Sequence, residues 1–360
     1  MDELITADAI AADVIAAFFP ASGEKPLHFQ VLPVGGGLIN HTWRVDVAGQ
    51  APLLLQKINT TVFPEPQKIQ ANYRQVFDQV SHSIRLPRPQ VTVSQELLYH
   101  DNHGRYWRAF DFMSEGRTLT QAVDSESAGA AARCFAQFTA AFKDFDADRL
   151  ETIIPGFHDL LLRYDQFQFA LQNGNAERKA KASRLITRLQ ERERYCRFYK
   201  SANESGQFLR RVMHHDAKIA NVLFHQQRTE VLCLVDLDTV MPGLIFSDCG
   251  DMIRSMAASA GESSVHFNAI HIRANIYDAI IREYLAPLQA QLTPEEIRYI
   301  HFSGIMMIYM QAMRFLTDYL LGDVYYKINY PLQNVDRAEN QLVLLERLEE
   351  FLEKQYRFIL

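Results

Sequence analysis

The chain has 360 residues, 48% of them hydrophobic and 22% charged, and a formal net charge of −6. That balance supplies a large core and a length that suits two domains or lobes, and the absence of a long basic run disfavours a phosphate-neutralising nucleic-acid surface. Four scattered cysteines without a Cys-x-x-Cys pair argue against zinc or disulfide frameworks and predict reduced thiols. The start, Met1-Asp2-Glu3-Leu4, lacks the basic and apolar stretches of a secretory leader, and no apolar run approaches the roughly 20 residues of a membrane span. A cytoplasmic location is the expectation.

In chain order, residues 7–19 have helical spacing of Ile10, Val14, Ala17 and Phe18, and Pro20 ends the pattern. From Leu27 the period changes. Phe29–Val31, the glycine turn Gly35-Gly36-Gly37 and Thr42–Val47 predict a strand, a turn and a return strand. Leu53–Ile58 is a third strand, 66–80 a helix with Ile69, Tyr73, Val76 and Phe77 on one face, and Val91–Val93 and Trp107–Phe112 two further strands. Beyond Gly116 the pattern is mostly helical: 124–143, two helices within 156–200 broken near Gly174, then 247–259, 265–286, 293–321 and 333–358.

One stretch interrupts the helices. His214-His215-Asp216-Ala217-Lys218 leads through Asn221 to Val222-Leu223-Phe224, and after a turn Val231–Val235 runs into Asp236-Leu237-Asp238. A loop entering a hairpin can point Asp216, Lys218 and Asn221 into one cleft and return Asp236 beside them. Two or three oxygen ligands that leave positions open suit Mg²⁺ bound together with phosphates. Phosphoryl transfer needs such a set: a carboxylate for the hydroxyl proton, metal ligands, and a cation near the moving group. The Gly35–Gly37 turn allows close backbone approach to phosphates, and it also reads as a plain hairpin turn.

His-x-Asp-x-x-x-x-Asn followed by a hairpin ending in Asp resembles the catalytic and metal loops of the protein-kinase-like superfamily. Val235-Asp236-Leu237-Asp238 in place of Asp-Phe-Gly is similar to its aminoglycoside phosphotransferase and choline kinase branch. The resemblance implies an α+β, bilobal protein-kinase-like fold: a small antiparallel-sheet lobe with one inserted helix over residues 1–113, and a larger helical lobe over 114–360 with the catalytic loop and acceptor site. It implies Asp216 as catalytic base, Lys218 on the transferred phosphate, and Asn221 and Asp236 as Mg²⁺ ligands. Lys57 and the Gly35, Gly36 and Gly37 turn would hold the ATP phosphates. Asp111 and Met113, where the lobes join, would present backbone groups to the adenine. One departure is clear: the helix 66–80 has no Glu to pair Lys57, leaving Glu65, Gln70 or Asn72 nearby.

Three longer stretches, Leu55–Thr60, Thr239–Leu244 with Asp248–Arg254, and Met313–Leu320 with Gly322–Lys327, resemble the bacterial N-acetylhexosamine 1-kinases. That implies transfer of the ATP γ-phosphate to the anomeric hydroxyl of N-acetylglucosamine or N-acetylgalactosamine. The partner is then a sugar and not nucleic acid or membrane, and the chain a monomer or weak homodimer. Arg314, Asp318 and Tyr325 put polar and aromatic groups for a sugar on one late helix and its exit turn. Arg314 and Asp318 also stand at i, i+4, the spacing of a helix ion pair. The alternatives are a kinase for an aminoglycoside, choline, homoserine or another sugar, which differs only in the pocket, and a pseudokinase acting as an interaction module, favoured by the missing helix Glu.

Overall fold

The computed structural model describes residues 10, 12–19, 28–35 and 39–360. Its first part is an antiparallel sheet of β1 (Phe29–Pro33), β2 (His41–Val47), β3 (Leu53–Lys57), β4 (Pro89–Gln90), β5 (Tyr99–His100) and β6 (Tyr106–Asp111). The order is β1-β2-β3-β6-β4, with β5 beside β6. Alternation along β2 and β3 buries Trp43, Val45, Leu53 and Leu55 on one face, where Val14, Ile15 and Phe18 of α1 (Ala12–Phe18) cover them. The other face receives α2 (Pro66–Val80), which starts with Pro66 in its first turn and buries Ile69, Tyr73, Val76 and Val80.

Below it, β7 (Gly116–Thr118) joins the hairpin of β9 (Val222–His225) and β10 (Val231–Leu234), and β8 (Arg211–Met213) pairs with β11 (Met241–Gly243). Around them pack α3 (Ser125–Ala140), α4 (Leu160–Asn173), α5 (Ala176–Lys181), α6 (Ser183–Gln190), α7 (Arg194–Glu204), α8 (Phe246–Met252), α9 (Ala274–Leu288), α10 (Pro294–Arg298), α11 (Phe302–Leu321) and α12 (Gln333–Tyr356). Helix α3 opens on an Asp124–Ser127 capping box. It fully buries Phe135 and Phe138, each worth about 1.5–3 kcal/mol of apolar transfer. The central helix α11 is buried along most of its length. Gly250 lets α8 approach it, since a Cβ there would lie 2.3 Å from the Ser303 carbonyl oxygen.

The α+β class is as expected, and the inserted helix has the predicted bounds. Other elements differ. Val91–Val93 is not a strand: Thr92 Oγ1 accepts the Glu96 N–H at 3.0 Å and closes a turn, leaving two-residue strands on either side. The span 156–200 holds four helices instead of two. The expected helix 265–286 starts only at Ala274, and 293–321 divides into α10 and α11. That division follows from the buried Glu296, whose carboxylate takes the N–H groups of Thr293 and Leu209 and pairs with Arg211, tying α10 to the strand before the catalytic loop. Among the described residues the four cysteines are buried and unpaired, and no helix is long and apolar enough to cross a membrane.

Candidate active site

The loop from His214 to Asp216 is held from behind by α8. Asp248, fully buried, accepts the backbone N–H of His214 at 2.9 Å and of His215 at 2.7 Å. Burial pushes its carboxyl up to about 7, against the pull of those two bonds. His214 packs edge-on against Phe135 and Phe138, and its Nε2 lies 3.1 Å from the Val235 carbonyl oxygen. His215 has φ of 64°. Gly243 makes room for its ring, because a Cβ there would sit 2.4 Å from Cε1. Left-handed backbone at a non-glycine residue costs roughly 1–3 kcal/mol and persists only where surroundings enforce it. Here that enforcement turns the next residue, Asp216, to the cleft.

Asp216 Oδ2 accepts Lys218 Nζ and Asn221 Nδ2, both at 2.8 Å. Asn221 Nδ2 also donates to the Asp216 carbonyl at 2.8 Å. These bonds leave Asp216 Oδ1 and the Asn221 side-chain oxygen without a hydrogen bond to any described group. Burial works to lower the Lys218 pKa, but Asp216, Asp236 and Asp251 outweigh it and hold the ammonium charged. Asp236 ends the hairpin at φ 61° and ψ 57°, open to the cleft. The protein mass around it, then Asp238 and Asp216, raise its proton affinity.

No three His, Cys, Asp or Glu side chains form a metal cage among the described residues. Asp236 and the Asn221 amide oxygen nevertheless fit Mg²⁺, which keeps several positions for water and phosphate oxygens. A carboxylate that holds its proton against like-charged neighbours is also one that a cation would relieve. The chemistry within reach is acceptance of a proton at Asp216 Oδ1 beside a cation site and an ammonium.

The other expected residues are placed as follows. Gly35 lies two residues past the end of β1, and Gly36 and Gly37 fall outside the described residues. Lys57 pairs with Trp107 across β3 and β6, on the face shared by Leu53 and Leu55, whereas Gln56 and Arg108 point the other way, toward α2. Glu65 pairs with Lys68 at 2.9 Å. Asp111 donates its N–H to the Arg88 carbonyl and accepts Gln90 Nε2 on its carboxylate, and Phe112 N–H goes to Pro52. The Met113 carbonyl takes the Gly116 N–H, and its own N–H meets no described acceptor. Asp251 pairs with Arg254 at 2.9 Å, and Arg254 reaches Glu262 at 3.0 Å.

The late helix brings a correction. Arg314 and Asp318 do not pair. Asp318 is buried and accepts the N–H groups of Val324, Tyr325 and Tyr326 and Nδ2 of Asn334, at 2.8–3.0 Å. Its oxygens are spent shaping the loop that carries Tyr325. Arg314 instead lies 5.8 Å from the Phe157 and Tyr325 rings and 5.7 Å from Tyr326. Phe157 stacks on His158 at 4.4 Å, His158 Nδ1 is 2.6 Å from Ser247 Oγ, and that oxygen is 2.7 Å from His215 Nδ1. A contact chain thus runs from the late helix to the catalytic loop beside a cavity of about 230 Å³. Burial holds both imidazoles neutral, His215 down to about 4. Sequence reasoning missed Ser247 and Arg108. For Arg108 a signal existed, a lone arginine inside the apolar run Trp107–Phe110.

Residues 30–291 match the family model described as the phosphotransferase enzyme family. The chain belongs to that family. Solved structures similar to this phosphotransferase include an aminoglycoside phosphotransferase from Alicyclobacillus acidocaldarius, with TM-score 0.59 and 13% identity, covering 96% of this chain and 97% of that one. A choline kinase from Cryptosporidium parvum gives TM-score 0.55 and 14% identity, with 96% of each chain covered. An amicoumacin kinase in complex with AMP-PNP and Ca²⁺ gives 0.59 and 11%, over 92% and 91%. At these identities the likeness shows the fold, which is the protein-kinase-like fold of the phosphotransferases.

Proposed function

We propose that this phosphotransferase moves the γ-phosphoryl of ATP to a sugar hydroxyl, with the anomeric hydroxyl of an N-acetylhexosamine as the acceptor that the sequence resemblance implies. The observation that carries the reaction is the open Asp216 Oδ1, fixed by Lys218 and Asn221 beside Asp236. Asp216 takes the hydroxyl proton as the sugar oxygen attacks the γ-phosphorus and ADP leaves in line. Lys218 offers charge to the phosphoryl oxygens in flight. Asn221 and Asp236 would hold Mg²⁺, which when bound would neutralise phosphate charge. Nucleotide contacts come from the lobe over 1–113, including the Gly35–Gly37 turn, with the Met113 N–H for the base, and the acceptor lies in the lobe over 114–360. On this reading the protein works in the cytoplasm as a monomer or weak homodimer.

The acceptor reading rests on Arg314 among Phe157, Tyr325 and Tyr326, planar polar and aromatic groups of the kind that bind sugars. Cationic acceptors such as aminoglycosides or choline call for carboxylates. Here Asp318 is consumed by backbone N–H groups, Asp251 and Glu262 are paired with Arg254, and the cation facing the rings belongs to the protein. The test is a panel of free sugars, aminoglycosides and choline with Mg-ATP, reading ADP release and the acid lability of the product. An acid-labile product from N-acetylglucosamine or N-acetylgalactosamine is expected. An acid-stable product excludes a glycosyl phosphate, and turnover only with amines moves the acceptor class.

A further inference from the structure

The two faces of the first sheet present different cations. Leu54, Gln56 and Ile58 share a face with Arg108 and Phe110, toward α2 and the catalytic body. Lys57 lies on the face with Leu53, Leu55 and Trp107, which α1 covers. Arg108 is only 2% exposed. Its Nε donates to Gln56 Oε1 at 3.0 Å, Nη1 to Gln70 Oε1 on α2 at 3.2 Å, and Nη2 to Asp238 Oδ2 at 2.8 Å. Asp238 Oδ2 also accepts Asn40 Nδ2 at 2.7 Å, and Asn40 Oδ1 accepts the Asn59 N–H at 3.0 Å. One guanidinium therefore ties two strands, the inserted helix, the segment after the glycine turn and the loop that carries Asp236.

Stability alone does not explain this pair. A buried ion pair repays its desolvation poorly, and apolar residues of similar volume often do as well. What it adds is direction, because the planar fork fixes its partners' angles where an ammonium would not. We infer that Arg108 is the positioning cation of the nucleotide site: through Asp238 it sets the Asp236 loop, and through Asn40 it sets the entry to β2. It does from β6 the work the family resemblance gives to a lysine on β3, with Gln70 on α2 where that helix lacks a Glu. Asp238 is spent on Arg108 and Asn40, which leaves Asp236 as the carboxylate turned to the cleft. The inference rests on the ATP-dependent reading above.

The test uses the full chain and two readouts that separate the inference from that reading. Mg²⁺-dependent ATP turnover by the wild type tests the reading. The affinity for AMP-PNP, titrated by calorimetry with and without Mg²⁺, tests Arg108. Arg108→Gln should weaken Mg·AMP-PNP binding at least tenfold and raise the Mg²⁺ needed for half-saturation. Arg108→Lys should fall between it and the wild type, and Lys57→Gln should weaken binding by less than Arg108→Gln. If the charge left at Asp238 prevents folding, the double variant Arg108→Gln/Asp238→Asn buries no lone charge and should show the same Mg²⁺-dependent defect. Wild-type Mg·AMP-PNP affinity in the single or double variant, whatever its Tm, overturns the inference. So does a larger loss from Lys57→Gln than from Arg108→Gln.

Discussion

Two polar clusters meet at the cleft, and they are built in opposite ways. Asp216, Lys218 and Asn221 stand within six positions of one another, and the shared carboxylate is part-exposed with one oxygen open. Arg108 and Asp238 are 130 positions apart and 2% and 3% exposed. The first cluster is arranged to meet something that arrives, the second to hold something still. A carboxylate fixed by one ammonium and one amide keeps a lone pair for chemistry, whereas one shared by a guanidinium and an amide has little left to offer.

Damage to the first cluster should remove rate, not fold. The largest effect belongs to Asp216→Asn, which should lower kcat by about 10³-fold or more, the upper range for a lost proton acceptor, with nucleotide affinity and Tm nearly unchanged. Retained turnover would remove Asp216 from the proton path. Next comes Asp236→Asn, expected to cost about 10²-fold in kcat/KM for Mg-ATP with a higher Mg²⁺ requirement, as loss of an anionic ligand implies. Its Tm should hold or rise, because the carboxylate is crowded by Asp238 and Asp216. A fall in Tm would place Asp236 with the holding cluster. In the wild type, apparent Mg²⁺ affinity should weaken as pH is lowered, since the proton that Asp236 retains more firmly than usual competes with the metal.

The same contrast explains what could be read from the sequence. Asp216, Lys218 and Asn221 lie close in the chain, so local spacing carries their geometry, and the hairpin returns Asp236 by a short turn. The antiparallel sheet with its inserted helix was legible for a similar reason, through alternation and the 66–80 periodicity. Lys57 shows the limit. Its neighbour Gln56 differs by one position and therefore by one sheet face, and only the register with β6 tells which side carries a cation inward. Asp318 is the second case. Its spacing from Arg314 suggested an ion pair or a sugar ligand, yet a helix end whose loop turns back over it offers three backbone N–H groups at once, and these win.

That loop gives a smaller but cleaner separation. Tyr325→Ala, at a residue 70% exposed, should raise the acceptor KM by about tenfold with Tm unchanged, roughly the 1.4 kcal/mol of one lost stacking contact. Asp318→Ala should raise the acceptor KM similarly and also lower Tm, because three part-buried backbone N–H groups and the Asn334 amide lose their acceptor together, on the order of 1–3 kcal/mol in all once water relieves them. Equal Tm values for the two variants would show that Asp318 does not organise the loop.

The smallest effect concerns the contact chain between the two regions, and it is a pH dependence whose sign can be worked out. Burial takes His215 from about 6.5 down to about 4 in the folded chain. The unfolded chain therefore binds the proton first, and the stability His215 contributes is present above pH 6.5 and lost as pH falls toward 4. Asp248, pushed up to about 7, acts the other way: the folded chain binds its proton first, so its contribution is present at low pH and lost as pH rises from about 4 to 7. The two partly cancel in the wild type. His215→Gln removes one of them, so between pH 6.5 and 4 the variant should gain stability relative to the wild type as pH falls, by about 1–3 kcal/mol for a shift of this size, read from paired Tm curves. Parallel Tm curves for variant and wild type across that window would mean that His215 takes up its proton in the folded loop as easily as in the unfolded chain. The Ser247 bond and the Gly243 contact would then not hold the ring neutral behind Asp216.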